Sequence, residues 1–218
     1  MLRIRLVWAA VAVLVALPIA GCGDGSGGLP DADLLVRDAA IGVRYLKSAH
    51  IALQSEGAVP GFPVRALQAD LFDGGSSGTG SVTTTSAQVI HFAETSDGIF
   101  TVNADGTRMP VAEAGGLPRL TSMIGDNGLA KMLDELQDTR TVARQDADGI
   151  DAFRIEAKVP ASAMTALLPA ANSGASLATW VRVRGAHTPI HTVLTFPGGA
   201  TLDLRVSPIA ARSKSDTR

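Results

Sequence analysis

The sequence predicts an α+β fold: one large curved antiparallel β-sheet, a half-open barrel whose concave face carries helices around an apolar cavity. Three observations predict it. Short alternating segments separated by hairpin-type turns recur along most of the chain. Helical spacing is confined to three places, and the strand–helix–strand rhythm of a parallel sheet is missing. A sheet of about ten strands tends to curl, and a curled sheet with helices in its mouth is a natural home for an apolar cavity.

The elements follow in order. Residues 31–48 read as a helix, with Asp31 and Asp33 suited to its N-terminus. Leu34, Ile41 and Tyr45, with Leu35, Ala39 and Leu46, make an apolar stripe at helical spacing. Strand patterns then cover 50–59 and 64–72, parted by the turn Pro60-Gly61-Phe62-Pro63. Further strands at 78–85, 87–95, 98–103 and 107–114 break at Ser96-Asp97-Gly98 and Asn103-Ala104-Asp105-Gly106. Leu129, Met132, Leu133 and Leu136 predict a middle helix, with Asp126 or Asn127 as its cap. A hairpin over 140–159 turns at Asp148-Gly149, and a short helix opens at Pro160. Three strands over 178–208 close the chain, turning at Gly185 and Pro197-Gly198-Gly199.

The N-terminus has a different composition. Arg3 and Arg5 precede an apolar run, Leu6 to Ala20, that is shorter than the roughly 20 residues a membrane span needs. Residues 1–21 therefore read as an export signal. Ile19-Ala20-Gly21-Cys22 resembles the lipobox of bacterial lipoproteins, in which the signal is cut before a cysteine that receives a diacylglycerol. Cys22 is the chain's one cysteine, so lipidation explains it and leaves no thiol for a disulfide. Residues 22–30 form a Gly/Ser tether, 31–208 the folded domain and 209–218 a polar tail. The expected location is the extracytoplasmic, periplasmic face of a cell membrane, held there by acyl chains. Loss of Arg3 and Arg5 makes the mature chain two units more negative than the −2 of the whole. A nucleic-acid partner, which calls for a clustered basic face, is not expected.

Catalytic and metal-binding patterns lack their required setting. Gly23, Gly25 and Gly28 have G-x-G-x-x-G spacing but follow a signal instead of a strand. Gly74-Gly75-Ser76-Ser77-Gly78 matches the nucleophile elbow, yet a β-branched strand pattern follows where that motif needs a helix. His187 and His191 are four apart, but Pro189 between them spoils a helical metal site. His50 and His91 read as strand residues with satisfied hydrogen bonds. Asp134, Glu135 and Asp138 suit a solvent face, and Asp146, Asp148 and Asp151 cluster at a hairpin turn. No enzyme, cofactor or metal is expected.

From "LKSAHIALQSEG" onward the chain resembles the mycobacterial LppX/LprG family of lipoproteins. The likeness runs through "VPGFPVRALQADL", "GLAKMLDELQDT", "DGIDAFRIEAKVPASAMTALLP" and "TWVRVRGAHTPIHTVLTF", and takes in the lipobox. It implies a half-barrel like that of the lipoprotein carrier LolA, with a hydrophobic cavity beneath the helices. It also implies a monomer that binds multi-acylated lipids there: phosphatidylinositol mannosides, lipoarabinomannan, triacylglycerol or phthiocerol esters. Such a carrier assists lipid transport between envelope layers, with an inner-membrane lipid transporter as its partner. Cys22 is the position that matches a functional residue of the family.

For the cavity lining, the strand and helix patterns suggest Val82, Val89, Phe92, Ile99, Met132, Leu133, Leu136, Phe153, Ile155 and Leu167. A slip of one residue would turn any strand's set outward, and ordinary core packing is the alternative role for each. Two other functions stay open at this point: an envelope scaffold without a ligand, and a hydrolase using Ser76.

Overall fold

The computed structural model describes residues 28–111, 120 and 123–209; the predicted signal, Cys22 and the tail from 210 lie outside the described residues. Among the described residues, eleven strands form one antiparallel sheet. They are β1 (Ala49–Glu56), β2 (Val64–Phe72), β3 (Ser77–Thr84), β4 (Val89–Thr95), β5 (Gly98–Val102) and β6 (Arg108–Pro110). After them come β7 (Gln137–Ala147), β8 (Ile150–Val159), β9 (Ala175–Arg182), β10 (Pro189–Thr195) and β11 (Thr201–Pro208). Three helices accompany the sheet: α1 (Ala32–Arg44), α2 (Leu129–Asp134) and α3 (Ala161–Leu167).

The sheet is two meanders, β1 to β6 and β7 to β11, zipped together by the pairing of β1 with β11. Its edges are β6 and β7, so the sheet is not closed, and the chain from one edge to the other passes through α2. Directly paired residues of antiparallel strands share a face. One such row crosses nine strands: Thr141, Ile155, Thr179, Thr192, Leu204, Leu53, Leu67, Val82 and Ile90. Most of this row is buried together with α1, α2 and α3 in one hydrophobic cluster, which defines the inner face. The outer rows carry Arg154, Trp180, His191, Arg205 and Gln68 instead.

The hairpin turn at Asp148-Gly149 is as expected: both residues have positive φ, 54° and 78°, the backbone of a type I′ turn. Asp31 caps α1, accepting the Leu34 N–H at 3.1 Å, and Asp33 lies in the first turn. Other expectations need correction. α1 stops at Arg44 rather than near Ser48, and the Lys47 carbonyl accepts the Gly74 N–H at 2.8 Å in the β2–β3 connection. The buried face of α1 is Leu35, Val36, Ala39, Ala40 and Val43, whereas Leu34, Ile41 and Tyr45 face solvent. The helix has two apolar stripes, and the one carrying Ala39 and Ala40 is buried. Neither Asp126 nor Asn127 caps α2; Gly128 occupies that place without a side-chain bond. β7 begins at Gln137, three residues ahead of the expected hairpin, and pairs with β8 as an edge strand.

Candidate functional site

The inner face divides into a filled part and an open part. Val82, Phe153 and Ile155 of the sheet and Met132, Leu133 and Leu167 of the helices lie together in the buried cluster between the two layers. Phe92 and Leu136 are partly buried and pack against its margin. Toward the β6 edge cover is thinner. Phe92 pairs with Thr101, and Thr101 with Met109, so Met109 looks inward yet is 51% exposed. Ile90 and Ile99, paired with Val82 and Glu94, are half-buried on the same face. Ile90, Phe92, Ile99 and Met109 thus make a half-covered apolar strip at the open end of the sheet.

Val89 does not join them. It pairs with Thr83, one residue out of phase with the Val82–Ile90 pair, and it is 56% exposed on the outer face. Phe92 and Val89, three residues apart in β4, point to opposite faces, so the expected lining is corrected at Val89, which lies on the outer side. Ile90 and Met109 were missed. The alternation of β4, read from Phe92, could have found Ile90; Met109, beside Pro110 in a three-residue strand, gives no periodic signal.

Polar groups on the inner face are paired in part. Glu94 is buried and accepts the Leu120 N–H at 2.8 Å, joining β4 to the chain ahead of α2. Thr179 and Thr192 share a hydrogen bond of 2.8 Å in the core. α2 is six residues long with no side-chain cap at Gly128; Leu129, Ala130, Met132 and Leu133 are buried, and Asp134 pairs with Arg44 of α1.

The outer face is polar. His50 lies 2.7 Å from Asp70, and His191 2.8 Å from Asp203; His187 Nδ1 is 2.7 Å from the Arg182 carbonyl. His91 is exposed. Arg144 donates two bonds to Asp151, at 3.0 and 2.6 Å, and holds its carboxyl below the ordinary range. Lys158 does the same for Asp138 across 2.6 Å. Asp134 pairs with Arg44, Asp148 with Arg205, and Asp146 accepts the Gly149 N–H. These carboxylates form structural pairs and a turn. Ser76 follows a one-turn 3-10 helix and precedes β3 directly, so the helix required behind a nucleophile elbow is not there. Among the described residues no group of three His, Cys, Asp or Glu is placed to hold a metal ion.

Comparison with known proteins fits this geometry. The LppX_LprAFG lipoprotein family profile matches residues 31–211. The "Lipoarabinomannan carrier protein LprG" of Mycobacterium tuberculosis (strain H37Rv) is 28% identical over 215 residues, 93% of this chain and 90% of that protein. Its namesake from Mycobacterium leprae is also 28% identical, over 78% of this chain and 76% of its own. Two crystal structures share the fold. LprF from Mycobacterium bovis superposes with a TM-score of 0.72 at 15% identity, covering 85% of this chain and 97% of that one. Lipoprotein LppX from Mycobacterium tuberculosis gives 0.65 at 20% identity, covering 83% and 97%.

Proposed function

The chain belongs to the LppX_LprAFG lipoprotein family, and from that premise we propose that it is an envelope lipoprotein that carries acylated lipids or glycolipids between envelope layers. The observation that carries this reading is end-to-end likeness to proteins named as lipoarabinomannan carriers. A multi-acylated lipid of that class, a phosphatidylinositol mannoside or a triacylglycerol is the cargo we assign. Cys22 holds the protein to the extracytoplasmic side of a membrane through its acyl chains.

The inner face suits the cargo. Acyl chains need apolar surface that the protein does not itself consume, next to an opening. Ile90, Phe92, Ile99 and Met109 supply such a surface at the β6 edge. The rest of the proposed lining, Val82, Met132, Leu133, Leu136, Phe153, Ile155 and Leu167, lies in or beside the layer between sheet and helices. Chains entering at the strip reach this layer by displacing part of the helical cover. Burying one sixteen-carbon chain is worth about 12 kcal/mol of transfer from water. A bilayer offers a similar gain, so loading and unloading are close to balanced and need no energy source within this chain. The role is carriage, with Ser76 and the paired carboxylates in structural positions.

The test is direct. Protein purified from a mycobacterial host is extracted with organic solvent, and the extract is analysed by mass spectrometry. Stoichiometric acylated lipid is expected. An empty extract would leave the ligand-free scaffold as the better account.

A further inference from the structure

We propose that the solvent-facing side of α1 is a membrane-docking surface whose partner is an anionic bilayer. Leu34, Ile41 and Tyr45 are 59%, 42% and 74% exposed, and their spacing of seven and four residues sets them on one stripe. That stripe is opposite the buried face, so α1 is apolar on both sides. An apolar stripe left bare on a surface helix is the pattern of an interaction site.

Three further features say what covers it. An open groove of about 530 Å³ runs from Ile41, Tyr45 and Leu46 to Arg182 and Arg184 at the β9–β10 turn. Arg182 and Arg184 are two cations in the lining against one carboxylate, Asp38. An apolar helix face with a basic rim and an aromatic residue is the composition of an interfacial helix on anionic lipid. A second copy of the chain would bring two such basic rims together. The third feature is reach. Ala32, the first residue of α1, stands ten residues after Cys22, so extended chain spans at most about 35 Å from the anchor to the helix. The thirteen residues of α1 are themselves about 20 Å long, so the whole stripe can reach the lipid surface that holds the anchor.

Docked in this way, the helical layer and the inner-face strip turn toward the bilayer, and the polar outer face of the sheet turns away. Cargo then passes between membrane and carrier without crossing water. This orientation rests on the anchored-carrier reading.

The test uses the mature acylated protein on vesicles of equal parts phosphatidylglycerol and phosphatidylcholine. Acylation consumes the chain's one native thiol, so Leu34→Cys, Tyr45→Cys and Gln68→Cys each add a single reactive site for a polarity-sensitive fluorophore. Labels at 34 and 45 should shift to the blue on vesicles, and more weakly on phosphatidylcholine alone, while the outer-face label at 68 stays as in water. Protein that floats with the vesicles but shows no shift at 34 or 45 overturns the docking and leaves carriage standing. A shift that grows with protein concentration in buffer points to a second copy and also overturns it. Protein that does not float overturns anchor and docking together. A shift at 34 and 45 in protein without extractable lipid would keep the docking and remove the carrier role.

Discussion

His191 of β10 lies flat against Trp180 of β9, with ring centroids 4.6 Å apart and planes 14° apart, while its Nε2 stands 2.8 Å from Asp203 of β11. Arg154 of β8 covers the same indole at 5.6 Å, so the two stacked rings link four adjacent strands on the outer face. His191→Ala removes the stack and the polar contact together and should cost about 1–2 kcal/mol in urea unfolding. His191→Phe should recover part of that, through the stack. An unchanged midpoint in His191→Ala would show that the outer face is held by its backbone ladder alone.

Gly80 is where two strands approach most tightly. A Cβ there would lie 2.1 Å from the Gln68 carbonyl oxygen and 2.9 Å from Ala69, both fixed parts of β2. Backbone cannot step aside as a flexible side chain can. Gly80→Ala should therefore destabilise by about 2–3 kcal/mol or more, with the loss read from thermal melting. Gly149→Asn, by contrast, keeps a residue tolerant of positive φ in an open turn and should change the melting temperature little.

Bulk placed at two points of the inner face should have opposite consequences. Val82 is buried in the cluster, so Val82→Trp overpacks the core and should cost about 1–3 kcal/mol. Ile99 is half-buried beside the open edge, where a larger ring has room. Ile99→Trp should leave the melting temperature near wild type and lower the extracted lipid per protein. Full occupancy in Ile99→Trp would move the lipid away from the β4–β6 strip.

Acid should act late. Arg144, through its hydrogen bonds, lowers the pKa of Asp151, and Lys158 lowers that of Asp138. A carboxyl whose folded pKa is depressed gives stability that is complete above its unfolded value of about 4 and lost as pH falls through the folded value. Both pairs are solvent-exposed, so each contribution is small and screened by salt. Stability measured by urea titration should thus be level from neutral pH to about 5, then decline. Asp151→Asn should be slightly weaker than wild type at neutral pH and equal to it in strong acid. A gap that persists in acid would assign the loss to the changed side chain's packing.

Much of the architecture was legible. Alternation with hairpin turns marked the strands, and "VRALQADLF" matches β2 residue for residue. The motif around Ser76 was readable as a loop because a β-branched run, not a helix, follows it. These features are local: turn residues and a two-residue period act over a few positions, and the chain carries them wherever it folds.

Facing was another matter. Nothing local distinguishes the Leu35–Val36–Ala39 side of α1 from the Leu34–Ile41–Tyr45 side, or Val89 from Ile90, because each pair of candidates is equally apolar. Which one is buried depends on what packs against it: the hydrophobic cluster between sheet and helices for Ile90, and α2, far along the chain, for α1. The pairing of β1 with β11 across the whole length of the domain sets the sheet's register and leaves β6 and β7 as free edges. Local chemistry made the strands, helices and turns; long-range packing chose their inward sides, and with them the open strip and the bare helix face.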